Sequence, residues 1–489
     1  MLLLAVTVVQ RSIGFGRGVL FCRWLDAESL GHWEMAYGFL LLAAPVAVLG
    51  LPGSFGRYLT RYRQEGRLRM FLRRTAGWTA TLAACAVAGL LLFRQEFAYA
   101  VFGDSEMSGM LVLVACGLAA VILLHFLEAV FAGLRLYRVV SAMNFCHSML
   151  FAAGALTLIS VWRASAASVI LAYAAACVAV SSGVLVWASL RTEWTPDSSP
   201  ELSHKSFWPP LMRFAVWVWV TNLLSNLFAV VDRYMIVHCG SFGPDEALSQ
   251  VGNYHASAIV PMLLVSIANL LVGAMTPHLS SDWEAGRREA VSDQLNLALK
   301  LAPLCMLVVG LGVLLVNPLL FNVILEGRYH TGQGVAPWTL ATCVWFGLLL
   351  LSQTYAWCAE RTRLAALPLG VGLSANVVLN LLLLPLYGLR GAVTATAVAT
   401  LCALGHQLWI NHRLGMRVSL GVVLMVLAPL ALVGGVSTAA AAVAVCLIGV
   451  AGTNALLTAA EKKQLVAAIV GRLKWLPSFK TSSNSTLAQ

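Results

Sequence analysis

The chain alternates long apolar runs with short polar connections along nearly its whole length. An α-helix needs about 20 apolar residues to cross a bilayer, and runs of that length recur between Leu2 and Leu457. Breaks at polar or Gly/Pro clusters divide them into fourteen predicted transmembrane helices, at about 2–22, 34–56, 75–93, 108–130, 141–161, 165–188, 210–237, 251–276, 298–324, 335–358, 365–386, 391–411, 418–434 and 437–457. This pattern predicts an all-α polytopic membrane protein.

Composition supports that prediction and excludes other classes of protein. Of 489 residues, 60% are hydrophobic and 11% are charged, and the mean hydropathy is +0.82, which is far from the composition of a water-soluble domain. The net charge of +11 lies in short loops between apolar runs, so no nucleic-acid partner is expected. The 11 cysteines stand singly without a C-x-x-C pair, so we expect no metal site and no cofactor.

The basic residues predict an orientation, because cytoplasmic loops retain Lys and Arg. With the amino terminus inside, 24 of the 32 Lys and Arg residues lie in cytoplasmic loops or the tail. Five lie in outer loops and three, Arg11, Arg17 and Arg233, lie within predicted spans. The sequence therefore predicts a multi-pass protein of the cytoplasmic (inner) membrane with both termini in the cytoplasm.

Three weak sequence matches suggest that the chain contains an internal repeat. They keep an offset of roughly 220 residues and pair 31–33 with 252–254, 57–67 with 277–287, and 131–135 with 357–361. Transporters often contain such repeats. The predicted organisation is an N-terminal six-helix lobe at 1–190, a cytoplasmic linker at 191–210, a C-terminal six-helix lobe at 211–412, helices thirteen and fourteen at 413–460, and a cytoplasmic tail at 461–489.

Three segments resemble one family of membrane proteins. They are RWLDAESLGHWEMA at 23–36, VDRYMI at 231–236 followed by VGNYHASA at 251–258, and SANVVLNLLLLPLYGLRGAVTATAVAT at 374–400. The chain resembles the polysaccharide or oligosaccharide flippases, whose superfamily also holds lipid II flippases and multidrug and toxin extruders. Asp26 and Ala27 stand where that family usually has Gly-Pro. The resemblance implies two pseudo-symmetric lobes around a central cavity, with a polyprenyl-pyrophosphate-linked oligosaccharide as the substrate.

Arg11 and Arg17 are the first candidates for substrate binding. A charge inside the hydrocarbon costs about 2.5 to 3.5 kcal/mol on insertion scales, so it usually faces a cavity or a partner. The planar fork of arginine suits a pyrophosphate. Arg17 has an alternative role, in which it extends to the outer head groups. Six positions apart on a helix, the two side chains point about 120° from each other, so they need not share one ligand.

Helices seven and eleven contain four further candidates. Arg233 is a substrate-binding candidate and Asp232 a coupling-ion candidate; because neighbours on a helix do not face each other, one of them can contact the other lobe. The alternative is a polar anchor at the head-group level. Asn376 and Asn380, four residues apart, are candidates for sugar contact. The alternative for these amides is hydrogen bonding between helices.

His125 and Glu128 in helix four are the remaining coupling-ion candidates. They are three residues apart and share a helix face, as a proton or cation site requires. Glu128 lies within two turns of the predicted cytoplasmic surface, so the alternative is a carboxylate in water.

The function predicted from these features is flipping of the lipid-linked oligosaccharide, a surface polysaccharide precursor, by alternating access. One alternative is a cation-coupled multidrug extruder of the same fold. Another, of a different class, is a membrane glycosyltransferase or polymerase, but the outer loops are short and no catalytic residue is evident, so we do not expect an enzyme. The expected partners are the substrate and membrane lipids, with a polysaccharide polymerase or glycosyltransferases as candidate neighbours.

Overall fold

The computed structural model describes residues 2–191, 197, 199–200, 202–454, 456–459 and 461–463. Within these residues every regular element is helical. The predicted tail at 461–489 lies outside them apart from its first three residues, as does part of the predicted linker. The all-α fold predicted from the apolar pattern is confirmed.

The described helices fall into an N-terminal half, a C-terminal half and a short C-terminal group. The N-terminal half contains α1 (Leu2–Trp24), α2 (Ala27–Ala47), α3 (Phe55–Gln64), α4 (Leu68–Leu92), α5 (Arg94–Phe102), α6 (Ser108–Gly133), α7 (Tyr137–Val161) and α8 (Ala166–Arg191). The C-terminal half contains α9 (His204–Cys239), α10 (Pro244–Ala258), α11 (Met262–Glu284), α12 (Arg288–Leu319), α13 (His330–Cys358), α14 (Thr362–Tyr387) and α15 (Leu389–Arg413). The last group is α16 (Leu420–Leu427), α17 (Leu430–Val433) and α18 (Val436–Gly452).

Each of the fourteen predicted spans coincides with one helix or with two consecutive helices. In the described chain, ten helices are long and apolar enough to cross a bilayer, or eleven if the bent pair α2 and α3 is one span. The other three predicted spans fall on α1, on α16 with α17, and on α18. The predicted span at 251–276 is divided into α10 and α11 at Pro261, which lacks the backbone N–H that a continuous helix would use.

The second predicted span differs from the structure at both ends. α2 begins at Ala27, seven residues before the predicted start, because the Asp26 carboxylate accepts a hydrogen bond from the backbone N–H of Ser29 at 3.2 Å. The chain then bends by 63° between α2 and α3. Gly50 stands at the bend with a φ of +64°, a value that glycine adopts without steric cost.

α3 is amphipathic and lies at one end of the helix bundle. It buries Phe55, Tyr58, Leu59 and Tyr62, while its arginines lie on the exposed side. We call this end the α3 end and the opposite one, where α2 and α10 begin, the α2/α10 end.

The buried apolar residues form two clusters, one of which extends across both halves. This cluster joins α2, α6 and α8 to α9 and, at the α2/α10 end, to α10 and the start of α13. The other surrounds α13, the most buried helix of the C-terminal half. α16 to α18 pack on α12 and α13, outside the two halves.

Two glycines allow α2 and α10 to approach closely. A Cβ added at Gly31 would overlap the carbonyl oxygen of Leu248, and one added at Gly252 would overlap the carbonyl oxygen of Ala27. Gly31 and Gly252 are 221 positions apart, and so are Ala27 and Leu248. The contact is therefore reciprocal, because Gly31 meets Leu248 and their counterparts Gly252 and Ala27 meet each other. The separation between counterparts agrees with the offset that the sequence matches suggested.

The linker between the halves is attached to the N-terminal half. The Asp197 carboxylate accepts hydrogen bonds from the backbone N–H groups of Arg69 and Met70, at 2.9 and 2.7 Å, and so caps the start of α4. Arg67 Nε donates to the carbonyl of Pro200 at 2.9 Å. α9 follows from His204, six residues before its predicted start.

α9 packs on both halves along its length. The carbonyl of Pro210 accepts from the Tyr58 hydroxyl at 3.0 Å, and Asn226 Nδ2 donates to the carbonyl of Leu41 at 3.0 Å, so this part lies on the N-terminal half. Beyond it, Phe228 stacks on Phe346 of α13 with ring centroids 6.2 Å apart. Towards its end α9 again contacts the N-terminal half, where His238 Nε2 lies 2.9 Å from the carbonyl oxygen of Ala100.

Alanine at Gly31 or Gly252 tests the reciprocal contact. Each methyl group would displace a backbone carbonyl, and overpacking of this kind typically costs about 1–3 kcal/mol. We expect both variants to unfold at a lower temperature than the parent protein, by similar amounts. The matched controls are Gly77→Ala and Gly312→Ala, where an added Cβ meets nothing within 4 Å. Equal melting temperatures for Gly31→Ala and Gly312→Ala would contradict the packing described above.

Candidate functional site

A cavity of about 610 Å³ lies between the two halves. Its walls come from α1, α2, α6, α7 and α8 on one side and from α9, α10, α11, α13 and α15 on the other. At the α2/α10 end it is closed by the glycine contact and by a buried hydrogen bond of 3.0 Å from the Tyr329 hydroxyl to the carbonyl of Leu25. A Cβ at Gly18 would come within 3.8 Å of Ile259, whereas one at Gly14 would meet nothing within 4 Å. The cavity therefore widens between α1 and α11, away from the closed end.

Arg11 and Arg17 both line this cavity. The guanidinium carbon of Arg17 lies 4.2 Å from the ring centroid of Phe151 and 5.9 Å from that of Phe21. Arg17 is therefore directed into the cavity and not towards head groups. Neither arginine forms an ion pair with any residue that the structure describes. Their guanidinium N–H groups are available to an anion.

A buried carboxylate joins the two halves beside the cavity. Glu34 of α2 is 4% exposed. Its Oε2 lies 3.1 Å from Arg233 Nη2 of α9, and its Oε1 lies 3.0 Å from His255 Nδ1 of α10. Arg233 contacts the opposite half while Asp232 faces its own, as expected for helix neighbours. Arg233 also lines the cavity, but its charge is matched by Glu34, which distinguishes it from Arg11 and Arg17.

Glu34 and His255 were not among the candidates from the sequence. The predicted second span began at residue 34, which placed Glu34 at a helix end, whereas α2 begins at Ala27 and carries Glu34 two turns inside. Asp26 followed by Glu28 and Ser29 is a typical helix start, and this signal would have located Glu34 correctly. Glu34 and His255 are 221 positions apart, so the repeat offset relates these two partners as well.

Asp232 belongs to a polar network inside the C-terminal half. It is 2% exposed and accepts hydrogen bonds from the Tyr254 hydroxyl at 3.2 Å and from Asn380 Nδ2 at 3.3 Å. Asn380 also donates to Asn376 Oδ1 at 2.7 Å, and Asn376 Nδ2 donates to Thr396 Oγ1 at 3.4 Å. The network connects α9, α10, α14 and α15.

Asn376 and Asn380 do not contact the cavity, although they were candidates for sugar contact. Both are 0% exposed, and their amides hydrogen-bond between helices, which is the alternative that the sequence left open. Asn380 Oδ1 has no hydrogen-bond donor among the described residues. The physical reason is that the face of α14 that carries the two amides packs against α9 and α15.

His125 and Glu128 line the cavity from α6. Within the described chain Glu128 has no ion-pair partner. Facing them, α7 presents a polar stripe that the sequence analysis missed, formed by Asn144, His147 and Ser148. These residues follow the i, i+3, i+4 spacing of one helix face, and polar residues at that spacing inside an apolar run were a readable signal. His147 Nε2 lies 3.3 Å from the sulfur of Cys177.

A family model described as "Polysaccharide biosynthesis protein" matches residues 1–283, which is more than half of the chain. The chain belongs to this family. The resemblance read from the sequence is therefore confirmed.

Two proteins of Bacillus subtilis (strain 168) are relatives of this family member. "Uncharacterized membrane protein YabM" is 23% identical over 404 residues, which cover 77% of this chain and 72% of YabM. "Lipid II flippase MurJ" is 19% identical over 435 residues, which cover 81% of this chain and 79% of MurJ.

Solved structures share the fold of this family member at low sequence identity. A lipid II flippase MurJ in an inward closed conformation has a TM-score of 0.70 at 13% identity and covers 91% of this chain and 98% of its own. A multidrug resistance MATE family transporter in an inward-facing conformation has a TM-score of 0.64 at 13% identity, covering 83% and 94%. The fold is that of these membrane transporters.

Removal of Glu34 tests the ion pair between the halves of this polysaccharide biosynthesis protein. Glu34→Leu leaves the half-buried Arg233 without its counter-charge. Breaking one side of a fully buried pair typically costs about 3–5 kcal/mol, and the cavity beside Arg233 reduces this cost. We expect a clear drop in the melting temperature of the purified protein. The double variant Glu34→Leu/Arg233→Met should recover much of it. If Glu34→Leu melts at the parent temperature, the pair does not hold the halves together.

Proposed function

We propose that the protein flips a polyprenyl-pyrophosphate-linked oligosaccharide, a precursor of a surface polysaccharide, across the cytoplasmic membrane by alternating access. The observation that carries this proposal is a pair of arginines in the cavity, Arg11 and Arg17, that form no ion pair with any residue that the structure describes. Two permanent positive charges in a membrane cavity match the charge of a pyrophosphate, and arginine binds phosphate oxygens in a bidentate manner.

The shape of the cavity suggests the path of the substrate. The head group enters where α1 and α11 diverge, and the lipid tail stays in the bilayer. Opening at the other end requires that the Gly31 and Gly252 contacts and the Glu34 ion pairs separate. Arg233, released from Glu34, then becomes a third cation for the pyrophosphate. The pyrophosphate thus replaces Glu34 as the negative partner of Arg233 when the cavity opens.

Both ends of the chain are proposed to lie in the cytoplasm, with the α3 end inside. The exposed Arg57, Arg61 and Arg63 of α3 support this orientation, because basic residues are retained on the cytoplasmic side.

Cysteine labelling tests the orientation. In a background without reactive native cysteines, a membrane-impermeant maleimide added to intact cells should label Arg163→Cys, between α7 and α8, and should not label Arg63→Cys. Permeabilised cells provide the control, since both sites are exposed and both should then react. Labelling of Arg63→Cys in intact cells would reverse the orientation.

The acids near the cavity argue against extrusion of cationic drugs. Glu34 is paired with Arg233 and His255, and Asp232, which also borders the cavity, accepts hydrogen bonds from Tyr254 and Asn380. Glu128 is the cavity acid that has no ion-pair partner among the described residues. Arg11 and Arg17, which form no ion pair with those residues either, repel a cation. The relative named as a lipid II flippase also favours transport over a glycosyltransferase or polymerase.

Coupling to an ion gradient is proposed to use Asp232, with Glu128 and His125 as the other candidates. Asp232 borders the cavity and lies next to Asn380, whose Oδ1 has no hydrogen-bond donor among the described residues. Carboxylate and amide oxygens suit a hard cation. The cavity position of His125 and Glu128 suits a proton.

Flipping in reconstituted vesicles tests the proposed substrate. With a fluorescent polyprenyl-pyrophosphate-linked saccharide, Arg11→Ala and Arg17→Ala should each slow flipping by about tenfold or more, since a hydrogen bond to a charged group is worth about 1.5–3 kcal/mol. Arg11→Lys should recover only part of the rate, because it keeps the charge and loses the fork. Both alanine variants should keep their melting temperature, since neither removes an ion pair.

Arg163→Ala, an exposed arginine outside the cavity, is the matched control and should flip at the parent rate. Parent rates for stable Arg11→Ala and Arg17→Ala proteins would overturn the assignment of these residues to the cargo.

The same vesicles, with an imposed proton or sodium gradient, test ion coupling. Asp232→Asn should lose the dependence of the flipping rate on the gradient, and an unchanged dependence would exclude Asp232.

A further inference from the structure

The walls of the cavity differ in the number and grouping of their rings. The wall from the N-terminal half carries Trp33, Tyr37, Phe151 and Tyr173 with the polar Asn144 beside them. The wall from the C-terminal half also carries rings and polar groups, such as Tyr254, but Ile259, Met262 and Leu263 form an aliphatic stretch where α10 meets α11. A ring-shaped ligand group therefore finds the larger group of neighbouring rings on the N-terminal wall.

The rings of the N-terminal wall form one connected cluster. Tyr37 stacks on Trp33 with centroids 5.5 Å apart and meets Tyr173 edge to face at 5.8 Å. Tyr173 meets Phe151 at 5.0 Å, and Phe151 supports the guanidinium of Arg17 at 4.2 Å. An unbroken series of contacts thus connects Arg17 to Tyr37.

The rings of this cluster differ in their exposed fraction. Trp33 and Phe151 are 5% and 2% exposed, whereas Tyr37 is 37% exposed. The hydroxyls of Tyr37 and Tyr173 have no hydrogen-bond partner among the described residues. Buried rings therefore hold an exposed aromatic face in place, with free hydroxyls beside it. Packing of a hydrophobic core does not require such an arrangement.

We propose that this aromatic cluster, with Tyr37 at its surface, is a binding subsite for the sugar attached directly to the pyrophosphate. A pyranose has an apolar C–H face and a rim of hydroxyls. The Tyr37 ring offers an apolar face, and the phenol hydroxyls with Asn144 offer polar partners to the rim. The subsite rests on the proposed function, because a pyrophosphate held by Arg17 brings the first sugar next to Tyr37.

Binding of three lipids to the purified protein tests the subsite. The probes are undecaprenyl pyrophosphate without a sugar and its N-acetylglucosamine and glucose conjugates. The parent protein should bind at least one conjugate more tightly than the sugar-free lipid. Tyr37→Leu should weaken binding of that conjugate ~3- to 10-fold, as expected for one lost aromatic contact, and should leave binding of the sugar-free lipid unchanged. Tyr37→Trp should retain the preference for the sugar.

The matched control is Tyr137→Leu, an exposed tyrosine on α7 outside the cavity, which should leave all affinities unchanged. If Tyr37→Leu does not fold, Tyr173→Leu gives the same comparison from the neighbouring ring. The subsite is wrong if neither sugar raises the affinity of the parent protein, or if the leucine variants weaken all three lipids equally. A parent protein that binds none of the lipids, or binds them independently of Arg11 and Arg17, would instead overturn the proposed function.

Discussion

A charge within a bilayer needs a partner or water, because the hydrocarbon cannot solvate it, and this constraint arranges the interior of the protein. Glu34 is buried and is held by two basic groups from the other half. Asp232 is buried and accepts two hydrogen bonds. Arg11 and Arg17 are the contrast, since they face the cavity and form no ion pair with any residue that the structure describes. The interior therefore has one region where matched charges join the halves and another where positive charge is unmatched among the described residues.

The closed end of the cavity depends on the internal repeat. The same offset of 221 residues relates Gly31 to Gly252, Ala27 to Leu248, and Glu34 to His255. The contact between Gly31 and Leu248 is repeated by their counterparts Gly252 and Ala27, whereas Glu34 contacts its own counterpart, His255. The glutamate and histidine show where the halves have diverged, because two identical acids facing each other at that place would repel.

The sequence alone predicted the helical architecture, because long apolar runs mark the helices that lipid surrounds. It was less informative about which charged and polar residues contact each other. Arg233 was recognised as a charge in the membrane, but its partner Glu34 lies almost 200 positions earlier and was assigned to a helix end. Asn376 and Asn380 show the opposite difficulty. Their spacing reveals a shared helix face and does not reveal whether that face meets a cavity or another helix, which depends on the packing of α14 against α9 and α15.

α9 is the element through which the two halves are mechanically joined. Asp197 attaches the preceding linker to α4, and α9 contacts the N-terminal half at Asn226 and His238, while Phe228 between them stacks on the C-terminal half. Because both sets of contacts lie on one helix, a motion that separates the halves must either break one set or bend and twist α9, so the stiffness of this helix opposes the motion.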